Sequence, residues 1–153
     1  MATKGSLLNV FMLTADYIVG LVDGEGSFTV YVRNQSVSSE KKRRTRVEPR
    51  FYLKLIEKDK FVLYSLKDYF GCGNVYFQRD NRKNHQNCYR FEVTSREDLS
   101  KIIIPFFKKN HLKLVSKRKD FEIFCLIMEM IGQGRHLAQT GLDDIFLLNQ
   151  KMH

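Results

Sequence analysis

The 153-residue sequence has no tryptophan, only two prolines and only three cysteines. So few prolines, with nine glycines, exclude a collagen-like chain and argue against a disordered one. Cys72, Cys88 and Cys125 are odd in number and far apart, so neither a disulfide framework nor a Cys-x-x-Cys metal site is expected. A reducing compartment is the simplest match. No apolar run approaches the ~20 residues of a membrane span. No apolar N-terminal stretch ends in a small-residue cleavage site, so secretion is not expected. Acidic charge is also scarce: 17 Asp and Glu stand against 26 Lys and Arg, a net charge of +9. The remaining composition, 43% hydrophobic and 28% charged, is that of a globular chain able to bury a core. With no Pro/Gly/Ser-rich linker, residues 1–153 are read as one domain. A small domain this basic is expected to meet a polyanion, either nucleic acid or an anionic membrane surface.

The positive charge is concentrated. Residues 33–60 hold ten Lys and Arg against four acids, and residues 101–119 hold seven against none. Residues 120–153 reverse the balance, with five acids and two bases. The tightest run is Lys41-Lys42-Arg43-Arg44-Thr45-Arg46, which fits a localisation signal or a solvated loop equally well. The second basic region favours a broad polyanion-binding surface.

Apolar periodicity alternates between helical and strand spacing. Thr14 suits a helix cap and Asp16 its first turn. The helix then runs through Ile18–Val22 and stops within Asp23-Gly24-Glu25-Gly26. Strands are expected at 27–33, 49–57, 74–79 and 89–94, each with apolar and polar residues alternating. The apolar sets are Phe28/Val30/Val32, Phe51/Leu53/Leu55, Val75/Phe77 and Tyr89/Phe91/Val93. Helices are expected at about 58–70, 96–109, 117–131 and 140–151. In the first of these, Phe61, Val62, Leu63, Leu66 and Phe70 keep helical spacing, and helix 117–131 is apolar enough to be central. The order α-β-β-α-β-β-α-α, with a further helix, predicts an α+β fold. Two hairpins form one four-stranded antiparallel sheet with helices on one face.

The other sheet face then carries Thr29, Tyr31, Arg33, Arg50, Tyr52, Lys54, Asn74, Tyr76, Gln78 and Arg90. Arg and Lys suit guanine and phosphate, Asn and Gln suit adenine, and Tyr supplies packing area. Gln35, Arg43, Arg44 and Arg46 in the adjoining loop extend the same candidate DNA-binding set. A ten-residue strand spans ~33 Å, about one turn of B-DNA, and a β-ribbon fits the major groove.

The most specific signal is Ile18-Val19-Gly20-Leu21-Val22-Asp23-Gly24-Glu25-Gly26. It resembles the LAGLIDADG motif of homing endonucleases. Gly20, Leu21, Asp23 and Gly26 match outright; Ile18, Val22 and Glu25 are conservative replacements; Val19 and Gly24 depart mildly. Gly20 and Gly24 stand four apart, on one helix face, so two such helices can pack with their backbones close. They would then bring one carboxylate from each copy to almost one point. Paired carboxylates need a divalent cation between them, and hard oxygen ligands suit magnesium or calcium. The α-β-β-α-β-β-α order is also the family's core fold, a saddle-shaped sheet, so the resemblance spans nearly the whole chain.

The resemblance implies a site-specific, metal-dependent DNA endonuclease making a staggered double-strand cut. Only one motif is present, because Leu137–Ile145 (with Gly141-Leu142-Asp143-Asp144) lacks the acidic-glycine ending. Single-motif members act as homodimers, here through Gly20, Leu21 and Gly24. Two-fold symmetry then calls for a pseudo-palindromic target of roughly 20 base pairs. Glu25 takes the place of the metal-ligating acid, with the Gly24 carbonyl as a second ligand, while Asp23 is read as organising the helix end. Magnesium is the expected cofactor, with calcium able to bind without supporting cleavage. Lys117 fits the family's lysine before a late helix, with Lys119 as rival; its charge would orient water or stabilise a phosphoanion. A family glutamine at the end of the second strand is replaced by Leu55, and Glu57, Lys58 or Lys60 are possible substitutes. His85 and Cys88 are read as a chance pair. The alternatives are an intron maturase binding RNA, a DNA-binding regulator without cleavage, and a basic ribosomal or scaffold-like protein. The acid at Glu25 favours cleavage. The family's usual encoding within introns of organellar or archaeal genomes makes an organelle the expected location.

Overall fold

A computed structural model describes residues 12–33 and 46–153. Of the candidate residues, Gln35, Arg43 and Arg44 lie outside this range. Helix α1 (Ala15–Glu25) starts where Thr14 Oγ1 accepts from the Tyr17 amide at 3.2 Å. It continues through Gly24 to Glu25, ending within Asp23-Gly24-Glu25-Gly26 as the sequence predicts. The chain then passes directly into β1 (Gly26–Arg33), and β2 covers Arg46–Ile56. Helix α2 (Lys60–Phe70) follows, ended by Gly71 in the left-handed conformation at φ 66°. Strands β3 (Asn74–Gln78) and β4 (Cys88–Val93) come next.

Helix α3 covers residues 96–109 and is not uniform. Leu99–Ile103 forms a π-helical turn between Arg96–Asp98 and Ile104–Lys109. Pro105, which has no amide hydrogen to give the preceding turn, stands just after this wide turn. Helix α4 (Val115–Gly132) and helix α5 (Gln139–Gln150) complete the chain.

The four strands form one antiparallel sheet in the order β1-β2-β4-β3. Each hairpin is consecutive, and β2 joins β4 across the middle, as the two-hairpin reading predicts. Pro49 sits in β2 opposite Val30, whereas pairing with β4 begins only at Phe51. At Pro49 the strand is therefore a local edge, where a missing amide hydrogen breaks no ladder bond.

The core lies between the sheet and the helices. Phe28 is its hub, with ring centroids of Phe51, Phe121, Phe124 and Phe107 at 5.0, 5.1, 5.4 and 5.5 Å. Phe28, Phe51, Phe91, Leu53 and Val93 are fully buried, as the alternation predicts. Two apolar assignments need correcting. Phe77 lies on the helix side but is 51% exposed, because the short β3 extends past the covering helices; its ring meets only the half-buried Tyr89 among described rings, at 5.3 Å. Phe61 is also exposed, since α2 buries Leu63, Leu66 and Phe70 instead.

Phe28→Ala is expected to lower stability by about 3–5 kcal/mol, read as a shift in urea midpoint at constant slope. Burial pushes the Cys72 and Cys125 thiols up to about 11. The thiolate is the reactive form, so alkylation of both at pH 8 is expected to be much slower than in the urea-unfolded chain. It should accelerate about tenfold per pH unit up to about pH 11, followed by mass spectrometry.

Candidate active site

The site is assembled where α1 ends. Residues 18, 19, 22 and 23 of α1 are buried against the core, which leaves Tyr17, Gly20 and Gly24 on the opposite side, with the half-buried Leu21 at its margin and touching the core. A Cβ built on Gly20 or Gly24 would meet nothing within 4 Å. Glu25 closes this open face and is itself exposed. Gly26 begins β1 so close to the helix that a Cβ there would stand 2.7 Å from Val22 Cγ1 and 2.9 Å from the Val22 carbonyl oxygen. Only glycine fits, and this fixes the abrupt exit from helix to strand.

Asp23 is the one buried acid of the motif, 8% exposed. Its carboxylate accepts the Lys113 amide (2.9 Å to Oδ2) and the Leu114 amide (3.3 Å to Oδ1). Asp23 thus organises the loop that starts α4, ninety residues away, rather than only its own helix end. That loop delivers Lys117. The Lys117 ammonium donates to the Gly26 carbonyl, placing a cation beside the residue that follows Glu25. Lys119, the rival lysine, is exposed and makes no such contact. Lys117 thus touches Gly26, the residue that follows Gly24 and Glu25 in the chain.

The remaining candidates resolve differently. Leu55 is half-buried and packs on the core. Of its possible substitutes, Lys60 stands over the Tyr89 ring at 5.3 Å. His85 pairs with Asp80 (3.3 Å) instead of sharing a metal with Cys88. Asp80 also takes the Arg82 guanidinium, whose hydrogen bonds hold its carboxyl well below the usual carboxylate range. Among the described residues no three His, Cys, Asp or Glu side chains gather to hold a metal.

The outward sheet face carries the predicted polar set, and its register sorts them into rows. Thr29 stands opposite Arg50 and Arg33 opposite Arg46. Lys54, Arg90 and Tyr76 form one row; Tyr52 faces Glu92, which faces Asn74. Gln78 stands opposite Cys88 at the far end. The pairing role of two acids was missed: Glu48, opposite Tyr31, and Glu92 share this face and bind its arginines. Their position two residues from Arg50 and Arg90 on the same strands was the available signal.

Helix order, a four-stranded antiparallel sheet and an acid-tipped glycine helix define a LAGLIDADG-type α+β fold. The LAGLIDADG endonuclease family matches residues 18–128. A probable intron-encoded endonuclease of Neurospora crassa is 33% identical over 136 residues, covering 88% of this chain and 24% of its own length. The homing endonuclease I-ApeII of Aeropyrum pernix is 30% identical over 73% of this chain and 60% of its own length. Among solved structures, the homing endonuclease I-TnaI superposes with a TM-score of 0.76 at 36% identity, covering 92% of this chain and 88% of that one. The LAGLIDADG homing endonuclease I-SmaMI bound to cleaved DNA gives 0.79 at 34% identity, covering 92% of this chain but 44% of that one. The chain belongs to the LAGLIDADG endonuclease family. It spans about a quarter of the N. crassa relative and under half of I-SmaMI.

Asp23→Ala leaves the Lys113 and Leu114 amides without their acceptor. The expected result is a loss of about 2–3 kcal/mol in a urea melt, with faster hydrogen exchange at both amides than in α2.

Proposed function

We propose that the chain is one half of a homodimeric, divalent-metal-dependent DNA endonuclease that makes a staggered double-strand cut in a long pseudo-palindromic target. The observation that carries this reading is the open glycine face of α1 ending in an exposed acid. In this reading residues 1–153 act as a single domain. A second copy packs its own α1 against Gly20, Leu21 and Gly24, and the two Glu25 carboxylates meet at the seam. Each chain alone offers one carboxylate and the free carbonyls of a helix end, which is half of an oxygen-donor set. Two copies fit magnesium; one does not.

Glu25 and the Gly24 carbonyl would hold that magnesium. When bound, a divalent cation neutralises the paired carboxylates, polarises the scissile phosphate and makes water easier to deprotonate. Lys117, anchored through Gly26, places positive charge where the phosphoanion develops. Calcium binds the same donors without supporting cleavage; a solved I-SmaMI complex with uncleaved DNA contains calcium ions, in keeping with this. The outward sheet face, including Thr29, Tyr31, Arg33, Arg46, Lys54, Asn74, Tyr76 and Gln78, lies along the major groove of each half-site. The target is roughly 20 base pairs, two half-sites of about one turn each. The similarity to fungal intron-encoded proteins supports an organellar setting, with the likeness to an archaeal homing endonuclease as the competing observation.

The test is cleavage of a randomised duplex pool by wild type and Glu25→Gln, with magnesium or with EDTA. Wild type with magnesium is expected to select and cut a pseudo-palindromic site, and both EDTA and Glu25→Gln to abolish cutting while the selected site is still bound. Retention of RNA or DNA with no cutting in any condition would turn the assignment toward a non-cleaving binder. Gly20→Leu is expected to convert a dimer to a monomer in sedimentation while leaving the fold intact, because its side chain enters open space in the single chain.

A further inference from the structure

The outward sheet face is less positive at its centre than its arginines imply. Arg50 gives Nη1 to Glu92 Oε1 and Nη2 to Glu48 Oε2, both at 3.2 Å. Arg90 meets the other oxygen of Glu92, with Nε 2.7 Å from Oε2. Both guanidiniums are also stacked: Arg50 lies 4.8 Å from the Tyr31 ring centre and Arg90 3.6 Å from that of Tyr52. The four charged groups are largely buried, at 11–27% side-chain exposure. Two arginines and two glutamates cancel. Around this centre Arg46 and Lys54 are exposed, and Arg33 is 67% exposed with only a 3.7 Å approach to Glu48.

Such an arrangement discriminates among the groups that DNA presents. A phosphate offers acceptors only. It could satisfy an arginine but would face the carboxylate beside it, a like-charge contact. A G·C pair in the major groove offers guanine O6 and N7 as acceptors and the cytosine N4 amino group as a donor. That is the complement of an arginine–carboxylate pair. A·T offers one purine acceptor next to its amino group, so it cannot take a two-pronged guanidinium. Both arginine heads meet one carboxylate, so they address neighbouring base pairs. The networks also leave work undone: Thr29 Oγ1, Arg50 Nε and Arg90 Nη2 are buried with no hydrogen-bond partner among the described residues. Small shifts of the heads toward bases would therefore not break a saturated network.

We propose that Glu48 and Glu92 are specificity-determining residues that withhold Arg50 and Arg90 from phosphate and commit them to neighbouring G·C pairs in each half-site. This rests on the DNA-binding reading of the sheet and names what its centre selects. Glutamates there weaken indiscriminate binding and leave phosphate contact to Arg33, Arg46 and Lys54 at the margin.

The experiment measures binding, not cleavage. Wild type, Glu48→Gln and Glu92→Gln are titrated with a random-sequence duplex between 50 and 200 mM salt, and each is used to select targets from a randomised pool. The expected result is several-fold tighter binding of random duplex by both variants. Their log–log salt slope should steepen by about 0.9 for each arginine freed to take a phosphate. Wild type should select adjacent G·C pairs, and each variant should lose about tenfold of that preference. Variants with unchanged salt slope and unchanged base preference would overturn the proposal while leaving the DNA reading intact. Wild type that binds no duplex at any salt would overturn both. Should Glu92→Gln fail to fold, the more exposed Glu48→Gln alone decides.

Discussion

The buried carboxylate of Asp23 is the interaction on which the site depends. A carboxylate at this depth is tolerated only when hydrogen bonds replace its water. Two consecutive amides, those of Lys113 and Leu114, supply them. Those amides belong to the turn that launches α4, so the end of the motif helix and the start of the latest core helix are held as one unit. Lys117, one turn into α4, then reaches back to the Gly26 carbonyl. The two contacts run in opposite directions across the same junction, one anionic and one cationic. Displacing α4 would break both. The cation at the Gly26 carbonyl is thus positioned by the acid that does not face the solvent.

The sheet beneath serves two incompatible environments through its period of two. Phe28, Phe51 and Phe91 fill the helix side, while the residues between them face outward. The aromatic hub that stabilises the fold and the arginine–glutamate lattice that shapes the outer face therefore sit on alternate residues of the same strands. A rigid inner layer holds the outer one at fixed spacing. The tyrosines contribute to the same end, since Tyr31 and Tyr52 give the guanidiniums a flat support instead of a mobile solvent shell.

Much of this was legible in the sequence, for physical reasons that also explain the gaps. The strands could be read because each alternates cleanly, and the hairpin pairing because the strands come in two close couples. The motif helix could be read because glycine spacing and an acidic ending have few other meanings. What escaped was set by tertiary context. The π turn at Leu99–Ile103 leaves helical periodicity almost unchanged. Phe61 and Phe77 look like core because hydrophobicity does not reveal how far a covering helix extends. The partner of Asp23 lies ninety residues away and is a backbone amide, so no side-chain pattern announces it. The pairing of Glu48 and Glu92 with the arginines escaped because attention to basic residues hides acids of the same parity. Asp120, which is buried and accepts both the amide and the Nδ1 of His153, is a further case of a long-range partner that spacing cannot reveal.

The bare face of α1 has a thermodynamic side. Glycine inside a helix is less favourable than alanine by about 1 kcal/mol, because it surrenders more backbone freedom on folding. Nothing in the single chain would obstruct a methyl group at Gly20 or Gly24. The isolated protein therefore forgoes about 2 kcal/mol of helix stability that two alanines would supply. A chain optimised for its own folding alone would have filled those positions. In the homodimer proposed above, a second α1 would cover those positions, and this helix would be where folding and assembly compete.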